Sequence, residues 1–589
     1  MRFSKRNLVL TSAALIAIPA MAQAPLDHRE LAADQQIIHA LNRLTFGARP
    51  GDVQKVRSTG LDKWVDLQLH PERIDDSSLQ KFLDLYSVMK QDQNNLLREF
   101  NQGQRERRLA KREAGDSGMR QARRMDPDLQ QIAQNRRRMM GELQSSRVAH
   151  AVAGNRQLEE VMTDFWLNHF NVFAQKGAPE PYYLAEYERD VIRPHSLGKF
   201  RDLLESVAKS PAMLFYLDNA RSMADTTRPR LASINRNPRR LLRADPDMRQ
   251  RLNQLRNGGL NENYGRELLE LHTLGVDGGY SQQDVINVAR ALTGWTIRPP
   301  AAGGGFIFRP EMHDAGEKIV LGHKLKANRG IEDGEDVLDI VSRHPSTAKY
   351  IAAKLARRFI SDNPPQAVVD RAAQVFMKSD GDIREVVRAI ITSNEFYSRQ
   401  AFRSKVKSPF EVVVSAMRAM NAAPDSTPRT AQMIAYLGQP IYGHQAPNGW
   451  PETGDAWMNT GAILNRINFG MAAAANRIPG ANVRSIPGID SLGTASRQKQ
   501  VDAVVSVLLG GSVSPDTRAV LMSGENPLLA NAKPAEDTTT QTMDAGDPGD
   551  MQLRPRANPF GRQNGAPLQL TGVAQVVGLA LGSPEFQRR

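Results

Sequence analysis

Apolar residues recur every three or four positions along most of the chain, a spacing that is typical of amphipathic helices. Near the start, Ile37, Ile38, Leu41 and Leu44 predict a helix that ends close to Gly47. The same spacing predicts helices within 147–174, 183–191, 200–216, 261–274, 335–343, 346–360, 366–378, 382–393 and 408–421. The pattern therefore favours a mainly α fold, a large multi-helix domain.

Three later stretches depart from this pattern. Phe306-Ile307-Phe308 and Lys318-Ile319-Val320-Leu321 are short apolar runs separated by polar residues, so we expect a small β-hairpin insertion. Residues 530–566 are rich in Pro, Gly, Thr and Asp, which predicts a disordered linker or loop. The apolar stretch after it is short, and we expect residues 567–589 to form a C-terminal helix that packs back on the main domain, 23–529.

The N-terminus has the layout of a secretory signal peptide. Three basic residues precede an apolar run from Leu8 to Ala20, and small-residue cleavage sites follow. The run is too short for a comfortable membrane span. We expect cleavage after Ala22, which removes residues 1–22 and leaves a soluble periplasmic or secreted protein. The chain has no cysteine, which excludes disulfides, a thiol nucleophile and a cysteine metal site.

The basic charge is regional. The chain carries 77 Lys+Arg against 64 Asp+Glu, a net charge of +13. Counted along the sequence, the signal carries +3, residues 105–138 carry +6 and residues 221–256 carry +7, so the remainder is −3. Both basic segments lack interleaved aromatic residues, and the chain begins with an export signal, which makes nucleic acid an unlikely partner.

The two basic segments have two interpretations. They are solvated surface, or they dock to an anionic membrane surface or another polyanion. In the second case the candidate binding residues are Arg107, Arg108, Arg136, Arg137, Arg138, Arg239 and Arg240.

Two ionisable residues fall where apolar ones are expected. On the predicted helix 158–170, His169 lies within the apolar stripe, and on 261–274 Glu267 does the same. Glu270 and His272 flank the second stripe on its two sides. A lone buried carboxylate is costly, so Glu267 must be paired, protonated or bound to metal.

These residues suggest a site between the two helices. Glu267 and His169 are the candidate catalytic acid–base pair. The candidate ligands for a divalent metal cofactor are His169, Glu267, His272, His313 and Asp314. The alternative is a buried network that only locks the helices together. A loop with His444, Trp450 and Asp455 is rich in Gly and Pro and is a candidate site-lining segment.

The sequence carries no strong catalytic signature. It contains no H-E-x-x-H, no G-x-S-x-G, no P-loop and no G-x-G-x-x-G. Whether the protein is an enzyme therefore stays open on motifs alone.

Several phrases together identify a family resemblance. They are Phe165-Trp166-Leu167-Asn168-His169-Phe170, Arg193-Pro194-His195-Ser196-Leu197-Gly198, Asn261-Glu262-Asn263-Tyr264-Gly265-Arg266-Glu267-Leu268-Leu269-Glu270-Leu271-His272-Thr273-Leu274-Gly275, Ala289-Arg290-Ala291-Leu292-Thr293-Gly294-Trp295 and Asn448-Gly449-Trp450-Pro451. The chain resembles the bacterial domain-of-unknown-function family 1800 over residues 35–589, apart from the basic segments and the linker.

The resemblance implies an exported protein and assigns no activity and no catalytic residue. It also implies a partner, because genes of this family often neighbour those of a second uncharacterised family that resembles sulfatases. We therefore expect a periplasmic, envelope-associated or partner-binding protein. The alternative is a metal-dependent or acid–base enzyme with its His/carboxylate site between helices 158–170 and 261–274.

Overall fold

The computed structural model describes residues 29–87, 89–106, 127–225, 227–231, 259–525 and 570–589. The fold is mainly α-helical, as predicted, and its small β part consists of two two-stranded sheets. The signal segment, most of both basic segments and the predicted linker 530–566 lie outside the described residues. Nothing in the described part of the chain forms a helix both long enough and apolar enough to cross a membrane.

The helices of the first half are numbered in chain order. They are α1 (Ala33–Leu44), α2 (Asp52–Thr59), α3 (Leu61–Leu69), α4 (Ser77–Leu83), α5 (93–106), α6 (Pro127–Ala153), α7 (Gln157–His169), α8 (Glu180–Glu186), α9 (Phe200–Ala208), α10 (Pro211–Tyr216), α11 (Asn263–Glu267) and α12 (Gln282–Ala291).

The second half continues the series. Its helices are α13 (Glu332–Ser342), α14 (Pro345–Phe359), α15 (Gln366–Lys378), α16 (Ile383–Ile391), α17 (Pro409–Ala419), α18 (Arg429–Tyr436), α19 (Thr460–Ala474), α20 (Arg497–Leu508), α21 (Pro515–Ser523), α22 (Gly572–Gly582) and α23 (Pro584–Gln587).

Local sequence signals fix where several of these helices begin. Ser281 accepts a hydrogen bond from the backbone of Asp284, whose side chain accepts one from the Ser281 N–H, so the two residues form a capping box. Ser408 and Glu411 form a second capping box at α17, where Pro409 occupies the first turn. The carboxylate of Glu411 is thereby oriented by its own helix, which matters for the pocket described below.

The predicted β-hairpin is wrong in its pairing. Strand β2 (Phe306–Phe308) pairs antiparallel with β1 (Trp295–Ile297), and β3 (Lys318–Val320) pairs with β4 (His323–Leu325). Gly294 adopts a positive φ of 82°, which ends the preceding helical turn and turns Trp295 into a strand. Periodicity missed β1 because three residues are too few to show an alternation.

The predicted helix 261–274 is also not a single α-helix. α11 ends at Glu267 and continues as a π-helix over Leu268–Thr273. A π-helix has a wider turn than an α-helix, so positions after the junction rotate away from the face that α-helical spacing assigns them. His272 is consequently fully buried, whereas Leu271 is half-buried. A second π-helix, Tyr187–Ile192, follows α8.

The C-terminal segment packs back onto the main body, against α19 and α20. Beyond α22, backbone hydrogen bonds join Arg589 to Lys405 and Lys407 to Gln587. These bonds bring the side chain of Arg589 into the interior, where it is 4% exposed.

Candidate functional site

The C-terminal end of α7 meets the π-helix that follows α11, and this contact brings two of the predicted residues together. The Nε2 of His169 donates to the backbone carbonyl of His272 over 3.0 Å. Within the described residues, Nδ1 of His169 and both ring nitrogens of His272 are buried without a hydrogen-bond partner. Burial and the nearby Lys354 lower the pKa of His272 to about 3, and they hold the pKa of His169 well below its usual range. Both rings are therefore neutral at neutral pH.

Glu267 lies apart from this pair. It is half-buried, and burial together with Glu270 raises its pKa to about 7, against the opposing effect of Arg266. Its charge also acts on Tyr216, whose hydroxyl donates to the carbonyl of Gln445. No hydrogen bond joins Glu267 to His169 among the residues described, so their acid–base pairing stays a prediction.

His313 and Asp314 belong to an internal ion-pair network. Asp314 accepts two hydrogen bonds from the guanidinium of Arg290, at 2.8 and 3.2 Å. His313 lies with its Nε2 3.4 Å from Asp333, whose carboxylate also pairs with Lys318 at 2.6 Å. This network links β3 to α12 and α13, which is the helix-locking role given above as the alternative to a metal site.

A metal centre from the five candidate ligands stays a prediction. Over the ranges that the structure describes, no group of three or more His, Asp or Glu side chains is placed to hold a metal ion.

The loop that carries His444 and Trp450 is fixed to α7. Asn168 donates from its amide to the carbonyl of Trp450 over 2.9 Å and accepts from the Trp450 N–H over 2.7 Å. Gly449, at a φ of 72°, allows this approach, because a Cβ there would lie 2.2 Å from the Asn168 carbonyl. The ring of His444 lies 4.6 Å from that of Trp450, whereas Asp455 points to solvent.

Trp450 forms part of the wall of a pocket on the same side of α7. Its empty volume is about 890 Å³, including the part open to solvent. The pocket is bounded by α6, α7, the end of α14, the start of α17, the Trp450 loop and the C-terminal residue. Its aromatic wall consists of Phe165, Phe410, Tyr442, Trp450 and Trp457, and its charged wall consists of Arg147, Asp164, Arg358, Lys405, Glu411, Glu452 and Arg589.

The charged wall is a network of shared ion pairs. Glu411 receives Arg358 at 2.5 Å and Arg589 at 3.2 Å. Asp164 pairs with Arg147, and its second oxygen lies 3.7 Å from Arg358. Burial would raise the pKa of Glu411, but Arg589 and Arg358 outweigh it and hold that pKa at about 2.

Cations outnumber carboxylates in this network. Lys405 pairs with Asp362. The buried Arg43 lies close enough to Asp362 and Glu411 for both carboxylates to favour its charged form. Along the pocket wall itself, four cations, Arg147, Arg358, Lys405 and Arg589, face three carboxylates, Asp164, Glu411 and Glu452. Burial and neighbouring arginines lower the pKa of Lys405 to about 8 and that of Arg589 to about 10, whereas the nearby carboxylates Asp164 and Glu411 raise the pKa of Arg147 and Arg358.

Two of the positively charged side chains also have hydrogen-bond donors without a partner. Arg358 Nε and Nη2 and Arg589 Nε and Nη1 are buried and donate no hydrogen bond to any described group. Buried guanidinium N–H groups are normally satisfied, because desolvating a donor without a partner is costly. The pocket wall therefore holds spare donors of one kind, suited to a negatively charged acceptor.

The predicted polyanion-binding residues are divided between described and undescribed parts. Arg107, Arg108, Arg239 and Arg240 lie outside the described residues. Arg137 and Arg138 are exposed on α6, and Arg138 pairs with Glu142 one turn along the helix.

Sequence reasoning missed the charged wall. Arg358 and Glu411 are 53 residues apart, and Arg589 comes from the opposite end of the chain. No local spacing connects them. The available signals were the capping role of Glu411 and the charged residues at the ends of apolar helices, and both are common in helices that have no site.

Taken together, these features define a mainly α-helical protein with a cation-rich pocket beside a buried histidine pair. The chain belongs to the family described as "Protein of unknown function (DUF1800)", whose model matches residues 39–588. Neither the curated proteins nor the solved structures contain a significant match to the chain.

Proposed function

We propose that this protein is an exported binding protein whose pocket between α7, α14 and α17 accepts an anionic group of a small organic ligand. The observation that carries the proposal is the set of buried, unused N–H donors on Arg358 and Arg589 at the pocket wall. A carboxylate, phosphate or sulfate group accepts charge-assisted hydrogen bonds from guanidinium groups with good geometry.

The charge balance of the wall supports the same assignment. Uncompensated positive charge in a region of low dielectric is unfavourable, and an added anion removes that cost. At the pocket wall four cations face three acids, which leaves positive charge for an added anion to balance.

The aromatic wall supports an organic ligand over a bare ion. Trp450 and Trp457, with ring centroids 6.0 Å apart and planes inclined by 45°, place two indole rings beside the charged wall. Pockets that combine an aromatic surface with a few convergent polar groups are typical of small-molecule sites. The ligand class is therefore an anion attached to a planar or ring-shaped body.

Tryptophan fluorescence and calorimetry test the proposal directly. Benzoate, phenyl phosphate and phenyl sulfate are titrated into the full mature chain, with uncharged benzyl alcohol as the reference ligand. At least one anion should bind and perturb the tryptophan emission, and benzyl alcohol should bind more weakly by tenfold or more, about 1.4 kcal/mol.

A pair of neighbouring arginines supplies the matched control. Arg589→Gln removes a buried donor from the wall, whereas Arg588→Gln changes an exposed neighbour. The first substitution should weaken anion binding, and the second should leave it unchanged. Equal affinities for all three proteins, or no binding of any anion to the wild type, would refute an anion site here.

Export and partner binding complete the proposal. The residues of 1–22 support export, and the basic segments support docking to an anionic membrane surface or an envelope partner. Because 127–138 is part of helix α6, the variants for this test neutralise only Arg107, Arg108, Arg239 and Arg240. Reduced binding to vesicles of phosphatidylglycerol is expected, and unchanged binding would count against this role.

An acid–base enzyme is the second candidate. It is favoured by Glu267, a half-buried carboxyl with a pKa of about 7 near Tyr216 and the Gln445 loop. A carboxyl that titrates near neutrality is suited to proton transfer. If an activity is detected, Glu267→Gln should abolish it without unfolding the chain. A fully active Glu267→Gln protein would remove this candidate.

A further inference from the structure

Lys407 is a buried lysine at the wall of a second pocket. Its side chain is 4% exposed, and its backbone is fixed by hydrogen bonds to Gln587 and from Arg466. The pocket has an empty volume of about 640 Å³, including its opening. Apolar side chains such as Leu41 and Leu508 form about half of its wall, and polar and charged groups such as Arg403 and Glu585 form the rest.

The amine of Lys407 has few partners for a charged group. Its Nζ donates to the hydroxyl of Ser415 over 3.1 Å and lies 4.1 Å from the centre of the Phe586 ring. No carboxylate of the described residues comes within ion-pair distance of it. Lys405, two residues earlier, differs in this respect, since it pairs directly with Asp362.

The charges that face Lys407 from the surrounding elements are mostly positive. Glu411 favours the ammonium form, and so does the Phe586 ring. Burial and the arginines Arg589, Arg403 and Arg466 oppose it and lower the pKa of Lys407 to about 7. At the pocket wall, Glu585 is already engaged by the backbone of Ser514 and the hydroxyl of Thr517.

We propose that Lys407 is a carbonyl-reactive amine that takes small aldehydes with an apolar body from this second pocket as imines. The neutral Nζ attacks the carbonyl carbon to give a carbinolamine. Loss of one water then leaves a C=N bond, so one aldehyde and one amine give one imine and one water. The apolar part of the wall supplies the binding surface for the aldehyde body, and the Ser415 hydroxyl, already hydrogen-bonded to Nζ, is placed to assist proton movement. The inference is independent of the anion pocket.

Reductive trapping with butanal tests this assignment. The full mature chain is treated with butanal and cyanoborohydride at pH 7, and every lysine is quantified by peptide mass spectrometry. At that pH about half of a group with a pKa near 7 is neutral, against about one in 2,500 for an ordinary lysine. Lys407 should be butylated at least about tenfold faster than the exposed Lys55, after allowance for its limited access. It should also react faster than Lys405, of which about a tenth is neutral at pH 7 because its pKa is about 8.

Two variants separate a reactive amine from a merely reachable one. Lys407→Met should abolish the fast labelling event while the other lysines react as before. Because Lys407→Met could disturb folding, Ser415→Ala provides a milder change that retains the amine and should slow its labelling. The proposal is overturned if Lys407 in the wild type reacts no faster than Lys405, or only after the chain is unfolded in urea.

Discussion

The carboxylate of Glu411 holds the charged wall together, so Glu411→Gln is the most informative single substitution. The change keeps the shape and the hydrogen-bonding capacity at the α17 cap but removes the negative charge. Arg358 at 2.5 Å and Arg589 at 3.2 Å then lose their shared partner. Both guanidinium groups stay buried, so the loss is not compensated by water.

The size of the effect follows from the pKa of Glu411. The carboxyl has a pKa of about 2 in the folded chain, against an ordinary value of 4.5. That difference corresponds to about 3 kcal/mol of folding free energy at neutral pH. Breaking a buried ion pair by removing one partner usually costs about 3–5 kcal/mol, so both routes give the same scale.

The pH dependence has a definite sign. Since the pKa of Glu411 is depressed by folding, its contribution is complete above about pH 5 and is lost as the pH falls through 4.5 toward 2. The difference in stability between wild type and Glu411→Gln should therefore shrink in acid and be constant near neutrality.

Urea unfolding followed by circular dichroism measures this difference at several pH values. Asp84→Asn is the control, because Asp84 forms an exposed pair with Lys90 and its loss should leave the unfolding free energy nearly unchanged. A Glu411→Gln protein as stable as the wild type at pH 7, or a difference that grows in acid, would refute the charge balance inferred for the wall.

Three further predictions follow from other contacts. Gly449→Ala should destabilise the chain by about 1–3 kcal/mol and shift the tryptophan emission, because the added Cβ meets the Asn168 carbonyl. Gly438→Ala is the control: its φ is also positive but the space around it is open, so it should show only the cost of backbone strain. Asp314→Asn should cost about 3 kcal/mol in urea unfolding by leaving Arg290 buried without its ion pair, and a loss below 1 kcal/mol would contradict the network. Since folding raises the pKa of Glu267 to about 7, ionisation of this carboxyl destabilises the folded chain as the pH rises from 4.5 through 7. Glu267→Gln should therefore have a higher melting temperature than the wild type at pH 8 but not at pH 4.

The helical body was predictable because its signal is local. The spacing of Ile383, Val386, Val387 and Ile390 defines α16, and all four side chains are fully buried. The helix caps formed by Ser281 and Ser408 are local in the same way, because a capping box involves residues only three positions apart.

Other features depended on geometry that spacing does not contain. The π-helix after Glu267 leaves Leu271 half-buried and places His272 in the interior. No residue type in this segment predicts a turn wider than that of an α-helix. The pairing of β1 with β2 rests on three residues a side, and the preceding helix pattern extends into Trp295.

Total charge gave a misleading indication of where a ligand would be attracted. By count, the body outside the signal and the two basic segments carries −3, which argues for a weakly acidic protein. The structure places buried arginines and Lys405 at one pocket, while carboxylates such as Asp84, Asp190 and Asp455 lie exposed at the surface. Water screens exposed carboxylates strongly, and the buried cations are screened much less, so the field within the pocket is set by its own wall. A negative body therefore holds a positive site, and raised salt should weaken binding to the Arg-rich segments far more than binding of an anion in the pocket.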